Sequence, residues 1–123
     1  MYFSSYILGC GSYLPKKILT NNDLSKKLDT TDEWIKTRTG INQRYIADKK
    51  QLNSDLGFEA EKNAIKNSKI KTSDIDLIIL ATSTPDHTFP STATKIQGKL
   101  GIKKGDRVTI YLTMVPELAI LML

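Results

Sequence analysis

The chain is poor in the residues that staple, ligate or span. It has 123 residues but one cysteine, one histidine and one tryptophan. The lone Cys10 excludes an internal disulfide and fits a reducing compartment, so the expected location is the cytoplasm. A single histidine and a single thiol leave no ligand set with the spacing of a metal centre, and no metal is expected. No apolar run approaches the roughly 18 residues that a membrane span needs, and the amino terminus has no basic stretch leading into an apolar one. Neither a transmembrane helix nor a signal peptide is expected.

What is present is ordinary for a globular chain: 40% hydrophobic and 25% charged residues. That composition argues against disorder, and the length suits one domain with a proper core better than two. The net charge of +5 comes from lysines spread along the whole sequence. Dispersed lysines make a solvated surface, not the clustered patch that nucleic acid requires, so nucleic acid is not an expected partner.

In chain order, Tyr2 to Leu8 reads as a strand broken by Gly9-Cys10-Gly11-Ser12. Cys10 is expected to be packed and inert. Asn21 or Asn22 caps a short helix with Leu24 and Leu28 one turn apart. Thr30 and Glu33 have the spacing of a capping box, which starts another short helix that Gly40 ends. On it Trp34 and Arg38 lie four residues apart and share a face. A flat ring beside a forked cation suits a nucleotide, with core packing of the tryptophan an equally good account. Gln43 to Ala47 reads as a strand. A helix capped by Ser54 runs to about Asn67, and Ile75 to Ala81 is an apolar run of the kind buried on both faces of a parallel sheet. The polar loop after it, Thr82 to Pro90, leaves the end of the strand where open α/β sheets place ligands. In that loop His87 is expected to be exposed and without a role. Phe89 is either an anchor for a pocket or partner, or a residue folded onto the core. Ser91 or Thr92 caps a last helix that Gly101 ends. The alternation is that of an α/β fold.

Six blocks, Gly9 to Pro15 (GCGSYLP), Asp32 to Ile41 (DEWIKTRTGI), Arg44 to Ala47 (RYIA), Phe58-Glu59-Ala60, Ala81-Thr82 and Phe89-Pro90-Ser91, resemble the amino-terminal third of beta-ketoacyl-acyl carrier protein synthase III. The likeness covers about residues 2 to 105. It implies part of the first α/β half of a thiolase-like fold, and a homodimer. It also implies an enzyme that condenses an acyl-CoA primer, commonly acetyl-CoA, with malonyl-acyl carrier protein to start fatty-acid synthesis. Its partners would be acyl-CoA and acyl carrier protein, with the coenzyme A thioester as substrate and no covalently bound cofactor. By the same likeness Trp34 stacks on the CoA adenine, Arg38 meets its phosphate and Thr30 hydrogen-bonds near the base. Phe89 matches the phenylalanine that lines the partner's acyl pocket across the dimer.

The likeness stops near Gly105, which divides the chain into residues 1–105 and a tail, 106–123, of unrelated character. Counted without gaps, Met114 stands where the family's nucleophilic cysteine belongs, and methionine cannot form a thioester. The family's catalytic histidine and asparagine have no counterpart here, so no catalytic residue is assigned and an inactive, truncated form is expected. A shifted reading frame near codons 105 to 107 is one account of the tail. A short protein that keeps a noncatalytic CoA-binding or interaction module is the other. The apolar end, Leu118 to Leu123, predicts poor solubility.

Overall fold

The computed structural model describes residues 5–103 and the backbone of 107–111. The elements in order are β1 (Lys17–Thr20), α1 (Asn21–Ser25), α2 (Asp32–Thr39), β2 (Gln43–Ile46), α3 (Asn53–Ser68), a 3-10 turn (Thr72–Asp74), β3 (Leu77–Ala81), α4 (Thr92–Leu100) and β4 (Arg107–Tyr111). They fall into two units, one spanning residues 14–51 and the other combining the segment up to Tyr13 with everything from Leu52 onward.

In the unit of residues 14–51, β1 and β2 pair antiparallel, with Ile18 opposite Tyr45 and Leu19 opposite Arg44. Thr20 closes the strand and caps α1: its hydroxyl accepts from the Asp23 amide, and the Asp23 carboxylate accepts from the Thr20 amide. This corrects the expectation that Asn21 or Asn22 caps the helix, because Asn21 is turned inward and used elsewhere. The start of α2 also differs from expectation. Thr31, not Thr30, is the cap, and its hydroxyl accepts from the Trp34 amide at 3.1 Å. With the register moved by one residue, Glu33 falls outside the capping-box position and Thr30 is free of that duty. Gly40 ends the helix as expected, at φ 70°, and its amide donates to Lys36. That backbone conformation strains any residue with a Cβ.

In the other unit, β3 and β4 pair in parallel, Ile78 beside Val108 and Leu80 beside Ile110. α3 and α4 pack together around Ile96, which is fully buried together with Ala93 and Ile78. Gly57 permits this close approach, since a Cβ there would lie 2.6 Å from Ile96 Cδ1. Ser54 is not the cap of α3. The helix begins at Asn53 after Leu52, whose side chain offers no acceptor, while the Asp55 carboxylate accepts from the Leu52 amide. Ser91 caps α4, its hydroxyl accepting from the Thr94 amide, and Gly101 ends it.

β3 was expected to be covered on both faces. It is covered on one: Ile78 is buried while Ile79 is 65% exposed and Leu77 is exposed beside it. Residues 5–8 of the expected first strand form no strand, and Tyr6, Ile7 and Leu8 are exposed. Apolar alternation makes a strand only where a neighbouring edge accepts its hydrogen bonds. The stretch after it is held to α3, where the side-chain amides of Asn67 and Asn63 donate to the Cys10 and Ser12 carbonyls. Cys10, expected to be packed, is exposed. Its carbonyl rather than its thiol is what α3 holds. Among the described residues no helix is long and apolar enough to cross a membrane.

Candidate functional site

The unit of residues 14–51 carries a cavity of about 530 Å³ lined by Leu24, Leu28, Asp29, Thr30, Thr31, Trp34, Ile35 and Arg44. α1 supplies Leu24 and the turn after it Leu28, a greasy wall one helical turn long. α2 supplies Trp34 and the buried Ile35, and β2 supplies Arg44. Thr31, whose hydroxyl caps α2, also lines the cavity.

Trp34 is 55% exposed, so core packing of the ring is not its role. The Arg38 guanidinium carbon lies 5.6 Å from the ring centroid, within cation–π range. The pair read from the sequence is therefore formed in space, although Arg38 is not among the residues that line the cavity. Thr30 does line it, and its half-buried side chain ends in a hydroxyl oxygen with no hydrogen-bond partner among the described residues. That oxygen has almost no accessible surface, so a ligand in the cavity meets it only if the Thr30 side chain turns.

What holds this arrangement is Asn21, only 1% exposed. Its side-chain amide donates to Asp32 Oδ1 at 2.8 Å, in the first turn of α2, and to the Ile41 carbonyl at 2.7 Å, just past the end of that helix. Its oxygen accepts from Arg44 Nη1 at 2.6 Å. One side chain thus fixes both ends of α2 and the guanidinium on β2. The Asn21 hydrogen bond holds the Asp32 carboxyl below its ordinary value, against a smaller opposing effect of burial, and Lys36 at 3.4 Å adds to it. Sequence reading missed Asn21 and Arg44 as site residues. They are 23 positions apart, and neither stands in a local pattern that marks a ligand.

Phe89 belongs to the other unit and is 88% exposed. It is thus not folded onto the core of its unit. Its loop is tied down around it: Asn53 Nδ2 donates to Thr82 Oγ1 at 2.5 Å and to the Thr84 carbonyl at 2.7 Å. The buried Asp86 carboxylate accepts from the Ser54 amide at 3.0 Å and from Lys95 at 3.3 Å. His87 is exposed. Met114 and the rest of the tail beyond Tyr111 lie outside the described residues. No group of three or more His, Cys, Asp or Glu side chains that could hold a metal occurs among the described residues.

No protein-family model matches the chain. Its fold, however, is that of part of a thiolase-like α/β enzyme. The 3-oxoacyl-[acyl-carrier-protein] synthase III of Aquifex aeolicus superposes on 87% of this chain with a TM-score of 0.80 and 45% identity, using 34% of its own length. The priming beta-ketosynthase of the R1128 polyketide pathway superposes on 87% with a TM-score of 0.79 and 30% identity, using 32% of its length. In sequence, the beta-ketoacyl-[acyl-carrier-protein] synthase III of Rickettsia canadensis is 56% identical over 96 residues, 78% of this chain and 30% of that protein. That of Caldanaerobacter subterraneus is 60% identical over 95 residues, 77% of this chain and 29% of that protein. Over about 80% of its length the chain matches the beta-ketoacyl-[acyl-carrier-protein] synthase III family at 56–60% identity, and it spans about 30% of the length of the curated relatives it matches.

Proposed function

We propose that this chain carries the coenzyme A docking end of a synthase of this family, whose reaction joins an acyl-CoA primer to malonyl-acyl carrier protein at the start of fatty-acid synthesis. The observation that carries the reading is the Trp34–Arg38 pair at the rim of a cavity that Thr30 also lines. The adenine stacks on Trp34, a phosphate meets Arg38, and Thr30 hydrogen-bonds the base. The reaction belongs to the cytoplasm and uses no covalently bound cofactor. Phe89, exposed on a tethered loop, fits a homodimer contact that lines the partner's acyl pocket.

The 123-residue chain by itself does not condense. Its only thiol is Cys10 and its only imidazole His87, and Met114 cannot become acylated. A shifted reading frame accounts for the tail, residues 106–123; a Cys-Gly-Phe-like continuation in another downstream frame of the gene would establish it, and its absence from both would refute it.

Docking is expected to be weak. Stacking on Trp34 supplies about 1–3 kcal/mol and a charge-assisted bond to Arg38 about 1.5–3 kcal/mol, against roughly 4–15 kcal/mol for association. A heteronuclear NMR titration with CoA checks the proposal. Saturable shifts in residues 14–51 that vanish in Trp34→Ala and Arg38→Ala are expected, with no acetoacetyl thioester formed from acetyl-CoA and malonyl-acyl carrier protein. Unchanged binding in both variants refutes the docking site, and product formation refutes inactivity. Should the chain serve as a noncatalytic CoA-binding module, the same titration supports it in the absence of any condensation.

A further inference from the structure

One arginine lies on the Trp34 ring and another lines the cavity that Trp34 also lines. Arg38 lies against the ring and is not part of the cavity lining, whereas Arg44 lines the cavity and is half-buried. Arg44 is also pre-organised: Nη1 is fixed 2.6 Å from Asn21 Oδ1, and Asn21 is itself locked by Asp32 and the Ile41 carbonyl. An anchored guanidinium loses little freedom when it takes a ligand.

The ligand of the proposed docking site also has two anionic arms. The ribose of CoA bears a 3′-phosphate, which ends there, and a 5′-diphosphate, which continues to the pantetheine thiol. A terminal group can be enclosed, but a continuing chain must leave the cavity. With the base on Trp34, we infer that Arg44 is the residue that binds the 3′-phosphate inside the cavity, while the diphosphate runs out past Arg38. Asn21 acts as the positioning residue for Arg44. The carboxylate of Asp29 also lines the cavity and opposes the phosphate, so it sets an upper limit on this subsite that its neutralisation raises.

This inference rests on the CoA-docking reading, and dephospho-CoA, which lacks only the 3′-phosphate, separates the two. The full chain is titrated with CoA and with dephospho-CoA, with a far-UV melt of every variant to verify folding. Wild type is expected to prefer CoA by about tenfold, the worth of one charge-assisted contact. Arg44→Gln keeps an amide for Asn21 and is expected to weaken CoA to the dephospho-CoA level while leaving dephospho-CoA unchanged. Arg44→Lys, which keeps the charge, should retain part of the preference, and Asp29→Asn should increase it. Arg38→Ala should weaken both ligands alike. A merely structural Arg44 would shift the melt and both affinities together, which overturns the inference and leaves the docking reading standing. So does a preference for CoA that survives Arg44→Gln. Failure of wild type to bind either ligand overturns both.

Discussion

The amino end of α3 is capped from 32 residues away. Leu52 precedes the helix and has no acceptor, so the Ser54 amide donates instead to Asp86 Oδ1 at 3.0 Å. The Asp86 side chain is fully buried and its second oxygen meets Lys95 on α4 at 3.3 Å, with Lys95 about a fifth exposed. The Asp86 amide in turn donates to Thr92 Oγ1 at 3.1 Å. A carboxylate here interacts with the positive end of a long helix and with a shielded ammonium at once. Asp86→Ala removes the acceptor and leaves Lys95 part-buried without its counter-charge. Breaking a buried pair costs about 3–5 kcal/mol, and the partial exposure of Lys95 places the loss at the lower end, about 3 kcal/mol. Asp86→Asn keeps an acceptor for Ser54 and removes only the charge, for a loss of about 1–2 kcal/mol. Urea unfolding followed by circular dichroism at neutral pH measures both. The pH dependence supplies a second check. Burial pushes the Asp86 carboxyl up, but the hydrogen bonds from Ser54 and Lys95 outweigh it, and the carboxyl lies below its ordinary 3.8. A carboxyl depressed in the folded state stabilises above its unfolded value and loses that contribution as pH falls through the folded one. The gap between wild type and Asp86→Asn should therefore hold constant above about pH 5 and shrink below 3.8. An Asp86→Ala loss under about 1 kcal/mol, or a gap that does not shrink in acid, would show that the capping and pairing argument is wrong.

Three further changes test other parts of the fold. Thr31→Ala should cost about 1 kcal/mol by removing the α2 cap, whereas Thr30→Ala should leave stability nearly unchanged; equal losses in urea unfolding would return the cap to Thr30. Ile96→Ala should cost about 2–5 kcal/mol, because the side chain is fully buried against Gly57 and cannot be replaced by a collapsing neighbour; a loss below 1 kcal/mol would show that α3 and α4 do not pack as described. The Asp23 carboxyl should titrate near about 2, chiefly because the Thr20 hydroxyl donates to it, with Lys26 second. In Thr20→Val a carbon-detected NMR titration should find it raised toward 3.8, and no movement would exclude the Thr20 bond as the cause.

The α/β alternation was legible because apolar run lengths and glycine stops are local. Gly40 and Gly101 end their helices as read, and the run into Ala81 is a strand. Trp34 and Arg38 were legible for the same reason, four residues apart on one helix. What failed was whatever depended on tertiary partners. Adjacent threonines at 30 and 31 are equivalent by propensity, and only the path of the chain selects Thr31. Asn21 reads as a cap until Arg44 and Asp32 are brought to it. Tyr6 to Leu8 alternates like a strand but joins no strand among the described residues, and Leu77 and Ile79 of β3 are exposed, because burial belongs to the neighbours and not to the run itself. The likeness carried by the DEWIKTRTGI block reached the relatives directly, because it rests on residue identity, whereas a core position reads only as apolar.

A unit of this size cannot be held together by burial. Within residues 14–51 the buried apolar side chains are Pro15 and Ile35, and segments below about 40 residues seldom supply a sufficient core. Yet this unit carries the cavity lined by Thr30, Trp34 and Arg44, whose shape depends on a defined geometry. Polar bonds with fixed directions meet that need in a way that apolar contacts do not. The Asn21 amide is satisfied on three sides, by Asp32, Ile41 and Arg44, and a fully satisfied buried amide specifies one arrangement while a partly satisfied one is costly. Replacing Asn21 by an isosteric leucine would preserve the packing volume, but it would strand the Ile41 carbonyl, release Arg44 and uncouple the two ends of α2. The position of Trp34 relative to the cavity is therefore determined by an asparagine that faces no ligand.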